Sequence, residues 1–453
     1  MKKMKSETTP GTPQKERRGL NRIWVNSILN LLATMKRGGL ILILPDGKRR
    51  QFGQPGAQVT ALIRVMDWNF FKRCVLYGDV GFGESYVAAE WETDDVTRVI
   101  AWFILNVEQG PGMAGSRIRN GWINILSWKN RIHHRLRPNS LRGSPENIAD
   151  HYDLGNAFYE LFLDQTMTYS SALFQDPGQT LEEAQTAKYN RICNKLKLQA
   201  SDCVLEIGGG WGGFAIHCAK RHGCRVKTIT LSGEQFRFAR ERVRLAGLDG
   251  FVEVVQSDYR KLSGQFDKIV SIEMIEAVGD AYLETFFKKC HELLKPHGLL
   301  AMQMIVCPDS RHAHLRKHVD WIQTHIFPGS LLVSIQRVNE ALFRTGDLCL
   351  HELEDMGLSY GETLRRWRIR FAQNLKEIKK LGFDDSFIRK WNYYLCYCEA
   401  AFDTRNITVA QAVCTRPNNP SLSWLHSPPE TLPIHGSHLV EEGMCENAIP
   451  ISL

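Results

Sequence analysis

The 453-residue sequence contains no apolar run approaching the roughly 20 residues needed to cross a bilayer as a helix. A secretory signal is not expected either. The charged start MKKMKSETTPGTPQKERRG leads directly into no apolar core, and WVNSILNLLATM (Trp24 to Met35) comes late and is too polar. None of the 12 cysteines forms a C-x-x-C pair, and Cys396 and Cys398 make only a C-x-C. Zinc ribbons, fingers and thioredoxin-type chemistry are therefore excluded, no metal site is expected, and the cysteines read as reduced thiols of a cytosolic protein. The absence of an internal repeat excludes solenoids and propellers.

What remains, 43% hydrophobic and 23% charged residues, suits two or three globular domains. The net charge is +8, and it is concentrated in two places. Residues 1–50 carry 12 Lys or Arg against Glu7, Glu16 and Asp46, and residues 117–142 carry seven Lys or Arg and no acid. Trp122, Ile125, Leu126, Ile132 and Leu136 interrupt the second run at roughly helical spacing, until Pro138 ends it. This pattern fits a basic helix at a phosphate-bearing surface, or a helix packed on a core. No recognition helix or RNP-type aromatic pattern points to nucleic acid.

The spacing predicts five regions: a basic flexible tail at 1–20, a small α+β domain at 21–110, a basic linker helix at 111–145, an α/β domain at 146–416, and a disordered tail at 417–453. "LILILPDGKRRQFG" from Leu40 is a hairpin signature, with Pro-Asp-Gly at the turn. From Cys203, five short apolar runs alternate with helical patterns: CVLEIG, RVKTITLS, VEVVQSD, FDKIVSIEMI and GLLAMQMIV. The fourth is followed by a helix AYLETFFKKCHELLK that Pro296 and Gly298 should close. Such alternation implies an α/β fold with a mostly parallel sheet covered by helices on both faces, and ligands bound beyond the carboxyl ends of its strands. Residues 307–416 read as mostly helical, and the tail after Arg416 holds six of the 17 prolines.

The first of those runs opens into LEIGGGWGGF (Leu205 to Phe214), where Gly208, Gly210 and Gly213 satisfy G-x-G-x-x-G. Alone, this motif says only that a nucleotide-like ligand binds. An NAD site wants an acid at the end of the next strand to hold the ribose hydroxyls, yet that strand ends TITLS, with Thr230 and Ser232 where the acid would stand. Glu206 lies before the glycines, and five glycines in six positions around Trp211 leave room for the amino-acid part of S-adenosylmethionine. These residues lean toward S-adenosylmethionine and leave NAD open.

"VLEIGGGWGGFAI", with "HYDLGNAFYELFLDQTMTYSSALF" before it and "ITLSGEQ" after it, resembles the cyclopropane-fatty-acyl-phospholipid synthases and mycolic acid cyclopropane synthases. "FDKIVSIEMIEAVG", "IFPGS" and "YYLCYCEAAF" fit the same family. The resemblance implies a Rossmann-like methyltransferase fold. It also implies methyl transfer from S-adenosylmethionine to the cis double bond of an unsaturated acyl chain in a membrane phospholipid. A cyclopropane would close after a carbocation loses a proton to bound bicarbonate. It further implies peripheral docking on an anionic bilayer from the cytoplasmic side, and a homodimer. A non-cyclising methylase or methylenase, and a methyltransferase on a non-lipid acceptor, are the alternatives.

Carried over onto this sequence, the family's cofactor contacts fall on Tyr169, Ser170, Glu206, Gly208, Gly210, Gly212, Thr230, Leu231, Gln235, Asp258 and Tyr259. The bicarbonate cage falls on Glu276, Ile305 and Tyr360, and on two positions that depart from the family: Ser171 replaces its Cys and Gln303 its His. Gln donates to an anion but does not titrate near neutrality. Cys398 matches a cysteine proposed for the active site, although the chemistry needs no thiol. Phe158, Tyr159 and Tyr169 are candidates to face the cation. His151, Tyr152 and Asp153 are candidates for the lipid entrance, and Glu273 reads as a supporting acid.

Overall fold

A computed structural model describes residues 14–108 and 154–422, with side chains from residue 22. The basic segment 117–142 and the His151–Asp153 triplet lie outside these residues, as does the chain beyond Leu422.

The expected hairpin forms from β1 (Gly39–Ile43) and β2 (Arg49–Gly53), paired antiparallel. β3 (Thr60–Val65) then adds parallel to β1, and β4 (Trp91–Glu92) adds antiparallel to β3, giving the order β2-β1-β3-β4. Helices Gln14–Thr34, Asn69–Val87 and Val96–Leu105 accompany this small sheet. The first of them begins inside the segment expected to be a tail. Gly78, at a φ of 61°, kinks the second, a conformation open to glycine at no steric cost.

The larger sheet has seven strands in the order β10-β11-β9-β8-β5-β6-β7. The parallel set is β5 (Cys203–Ile207), β6 (Arg225–Thr230), β7 (Val252–Gln256), β8 (Phe266–Ile272) and β9 (Leu294–Val306). β5, β8 and the second half of β9 are apolar runs, as strands covered on both faces are. Residues 307–416 are mostly helical as expected, but they also contain two unexpected strands, β10 (Cys349–Asp355) and β11 (Thr408–Thr415), with β11 inserted antiparallel between β9 and β10. The helix before β9 also ends earlier than expected, at Leu293, because Leu294 already pairs with Phe266 in the sheet.

Local chemistry fixes the helix starts. Ser232 caps Gly233–Leu245 by accepting from the Gln235 N–H, and Thr180 with Glu183 forms a capping box on Leu181–Lys195. The strand order reverses beside β5, so the crevice beyond β5, β6 and β8 is where a ligand belongs.

The described residues up to Pro417 form one compact unit, and those from Asn418 belong to a second, of which residues 418–422, including the short turn Pro420–Leu422, are described. Within the first unit, helix Asn69–Val87 packs on helix Asp385–Asp403. Arg389 lies over the Tyr86 ring at 4.2 Å, and a Cβ on Gly83 would stand only 2.4 Å from Trp321 and 2.8 Å from Tyr393.

Candidate active site

Two adjoining hollows make the site. The first, with about 1160 Å³ of empty space, lies at the carboxyl ends of β5, β6 and β8. Every residue expected to contact the cofactor lines it except Gly212. Gly212 instead occupies the left-handed region at the start of helix Gly213–His222, where a Cβ would press on Ala239 at 3.2 Å. It is a packing glycine.

Glu206 is buried and accepts from the Thr228 hydroxyl at 2.6 Å, and burial pushes its carboxyl up to about 7. The Thr230 hydroxyl donates to the Gln235 amide oxygen at 2.7 Å. Burial works against the Asp258 carboxylate, but the side chain and backbone N–H of Arg260 outweigh it and hold the group below its usual range. A cradle of close-packed backbone with hydroxyl, amide and carboxylate acceptors fits the ribose, adenine and ammonium groups of S-adenosylmethionine. Gly209 shows how tight it is, since a Cβ there would lie 1.8 Å from Thr228 Oγ1.

The second hollow is an apolar cavity with about 1420 Å³ of empty space, walled partly by Ile305, Phe327, Tyr360, Leu364, Tyr394 and Phe402. Glu276 and Cys398 also line it. Burial drives the Cys398 thiol far above its ordinary value, which favours the protonated thiol over the nucleophilic thiolate. Tyr169, Glu273 and Ala277 are the residues common to both hollows, and they mark the junction where a methyl group would pass. A further apolar cavity extends beneath the N-terminal helices and shares Leu315, Asp320, Leu332, Tyr397, Ala401 and Ile407 with this one. Phe158 and Tyr159 line neither hollow. They belong to a buried ring cluster behind Tyr169, with Tyr159 and Tyr169 5.4 Å apart.

The expected bicarbonate cage is the chief correction. Ser171 and Gln303 line neither hollow, and both are almost wholly buried. The donors assigned to the anion already serve carboxylates of the chain. The Ser171 N–H donates to Glu273 Oε1 at 2.8 Å, Gln303 Nε2 to the same oxygen at 2.7 Å, and the Tyr360 hydroxyl to Glu273 Oε2 at 2.7 Å. The Ile305 N–H donates to Glu276 Oε1 at 2.5 Å, and the Ser171 hydroxyl to the Ala172 carbonyl at 2.9 Å. The remaining Gln303 hydrogen goes to the Ser171 carbonyl, and its amide oxygen accepts from Gln411. The amide orientation is therefore fixed by acceptors on one side and a donor on the other. These residues do not fit a bicarbonate ion, because the donors it would need already serve Glu273 and Glu276.

Glu273 is thus the functional residue that sequence reasoning undervalued. It follows β8 with a φ of 49°, a left-handed conformation that costs a non-glycine residue about 1–2 kcal/mol. Its N–H donates to the Gln303 carbonyl at 2.7 Å, so backbone and side chain are both pinned to β9. Such strain held in place by its surroundings gathers at functional sites. Burial raises both neighbouring carboxyls. Glu273 is drawn back by its three donors and by Lys188, whereas Glu276 has one donor, an unpartnered Oε2 and the Glu273 charge beside it, and rises to about 8. Lys188 was not foreseen. Fully buried, it donates to Ser170 Oγ at 2.8 Å, and burial pulls its ammonium down to about 8.

The chain is similar to known lipid-modifying enzymes. A profile of the family described as mycolic acid cyclopropane synthetase matches residues 139–412. The tuberculostearic acid methyltransferase of Mycobacterium tuberculosis is 38% identical over 77% of this chain and 82% of its own. The cyclopropane-fatty-acyl-phospholipid synthase of Escherichia coli K12 is 34% identical over 78% of this chain and 87% of its own. A solved mycolic acid cyclopropane synthase complexed with SAH and CTAB superposes with a TM-score of 0.56 at 29% identity, covering 60% of this chain and 98% of its own. The fold is that of an S-adenosylmethionine-dependent methyltransferase.

Proposed function

The chain belongs to the mycolic acid cyclopropane synthetase family of S-adenosylmethionine-dependent methyltransferases acting on lipid acyl chains, and on that premise we propose that it methylates the cis double bond of an unsaturated acyl chain carried by a membrane phospholipid and closes a cyclopropane ring. The observation that carries this reading is the junction itself: a polar, glycine-walled pocket and a cavity of apolar walls share Tyr169, Glu273 and Ala277 as a common wall.

S-adenosylmethionine supplies an electrophilic methyl group. The protein's own contribution is positioning and exclusion of water. An alkene is a weak nucleophile, so it must be held in line with the methyl in a dry cavity. The walls of the apolar cavity do this, and the faces of Tyr169, Tyr360 and Phe402 stabilise the positive charge that develops on the acyl carbon. The further cavity beneath the N-terminal helices is apolar and shares walls with this one, so it would extend the space for a long chain.

The acyl chain is reached from a bilayer surface. No helix among the described residues is long and apolar enough to cross a membrane, and the basic segments at 1–50 and 117–142 suit anionic headgroups at about 1 kcal/mol per Lys or Arg. We place the protein peripherally on the cytoplasmic face. A second reading, release of the cation as a methylene or methyl-branched chain, is favoured by the exchange of the family's His for Gln303 and by the tuberculostearic acid methyltransferase among the relatives.

One experiment tests the reading and separates the products. The protein is incubated with methyl-labelled S-adenosylmethionine and liposomes of cis-unsaturated phospholipid, and the lipid is examined by NMR. Label in high-field cyclopropane protons supports ring closure, and label in a vinylic methylene or a methyl branch selects the second reading. Label recovered only in non-lipid material overturns both.

A further inference from the structure

We propose that the side-chain carboxylate of Glu273 is the base of this reaction, replacing a bound bicarbonate, and that Oε2 is the atom that receives the proton. The proposal rests on the acyl-chain reading above and on an inventory of hydrogen bonds.

A carboxylate offers about four acceptor positions, two on each oxygen. On Glu273, Oε1 takes the Ser171 N–H and the Gln303 amide, which fills it, and Oε2 takes the Tyr360 hydroxyl. One position remains, on Oε2, in a side chain that lines both the cofactor pocket and the apolar cavity. The donors hold the carboxylate rigidly, and they are the groups that would otherwise hold a small anion. Burial would expel a second negative ion from this space. It already leaves Glu276 as a neutral acid at neutral pH, three residues away with one oxygen unpartnered.

The step balances without any other reactant. Once the methyl carbon has joined one alkene carbon, the other carries the positive charge. A C–H bond of the added methyl breaks, and its electron pair forms the third C–C bond of the ring. The proton passes to Glu273 Oε2, leaving a neutral carboxylic acid and a neutral lipid. The same transfer, after a hydride has shifted between the two former alkene carbons, places the pair in a C=C bond and yields a methylene. Either product leaves one proton on Glu273, so the assignment is independent of which forms.

The experiment has a binding arm and a turnover arm. In the binding arm, isotope-labelled bicarbonate is titrated into the SAH complexes of the wild type and of Glu273→Gly, and its NMR line width is followed. The wild type should show no binding at millimolar bicarbonate, and Glu273→Gly, which frees the Ser171, Gln303 and Tyr360 donors, should show saturable binding. In the turnover arm, the wild type should run at full rate in carbonate-free buffer. Glu273→Gln should lose about 100-fold or more of lipid methylation while keeping its SAH affinity, which reports that the pocket is folded. Formate or bicarbonate should restore about tenfold of the lost rate to Glu273→Gly but not to Glu273→Gln, whose amide still fills the space. Saturable bicarbonate binding by the wild type, or wild-type turnover that collapses without carbonate, overturns the proposal. Full activity in Glu273→Gln overturns it as well. If the wild type labels no lipid at all, the acyl-chain reading falls and the proton's origin with it, while the binding arm still decides whether Glu273 fills the anion's place.

Discussion

The cofactor pocket and the apolar cavity share three wall residues, yet they are built on opposite principles. The pocket is made largely by the ends of parallel strands and the turns that leave them, so most of its contributing segments are short and contiguous. The cavity is made by side chains scattered from Tyr169 to Ile407, on helices and loops that meet only in the folded chain. A site formed by backbone tolerates almost no added volume, whereas one formed by packed apolar side chains gives way gradually.

The sharpest way to break this contrast is at Gly209. Its Cβ would lie 1.8 Å from Thr228 Oγ1 and 3.0 Å from Glu206 Oε2, so Gly209→Val should cost about 100-fold in S-adenosylmethionine affinity and turnover through misplacement alone. Isothermal titration measures the first, and near wild-type affinity would mean the loop is softer than its contacts imply. The matching insult on the other side is Ala401→Phe, at a wall common to the two apolar cavities. A rise of about tenfold in KM for the lipid with unchanged cofactor affinity is expected. An equal loss of cofactor affinity would show that the hollows respond as one.

A smaller effect should come from pH. The Glu276 carboxyl is raised to about 8 in the folded protein from an ordinary 4.5, so the folded state holds a proton that the unfolded state releases between these values. Its contribution to stability is complete below about 4.5 and is lost as pH rises through 8. Glu276→Gln should flatten the fall of Tm over that window and leave the variant a few degrees more stable at its alkaline end. A parallel Tm profile would place the proton elsewhere. The mildest change should be Cys398→Ala. With no thiol chemistry in the cavity, kcat should stay within about twofold while KM drifts upward, and a collapse of kcat would restore the cysteine to the mechanism.

The same contrast explains what the sequence revealed. The strand–glycine–helix unit around Gly208, the hydroxyl and amide of Thr230 and Gln235, and the acid at Asp258 are local signals, and all face the pocket. β10 and β11 were missed although Cys349–Asp355 and Thr408–Thr415 both support pairing, because the aromatic helices around them dominated the pattern. Glu273 was read as a supporting acid because its meaning depends on Ser171, Gln303 and Tyr360, which lie 102, 30 and 87 residues away. One signal was present: an acid just beyond the carboxyl end of β8, in a sheet whose ligands bind at that edge. Its φ of 49° was not legible, since nothing local asks a glutamate to take a glycine's conformation.

The contact between Gly83 and the rings of Trp321 and Tyr393 has a consequence for inheritance. A position that admits only hydrogen on one side of a seam, facing two large rings on the other, ties the two sides to a common history. A larger residue at 83 would demand smaller ones at 321 and 393, so substitutions across the seam should accumulate as matched pairs. The N-terminal part is therefore expected to be exchangeable between relatives only together with the helices against which it closes.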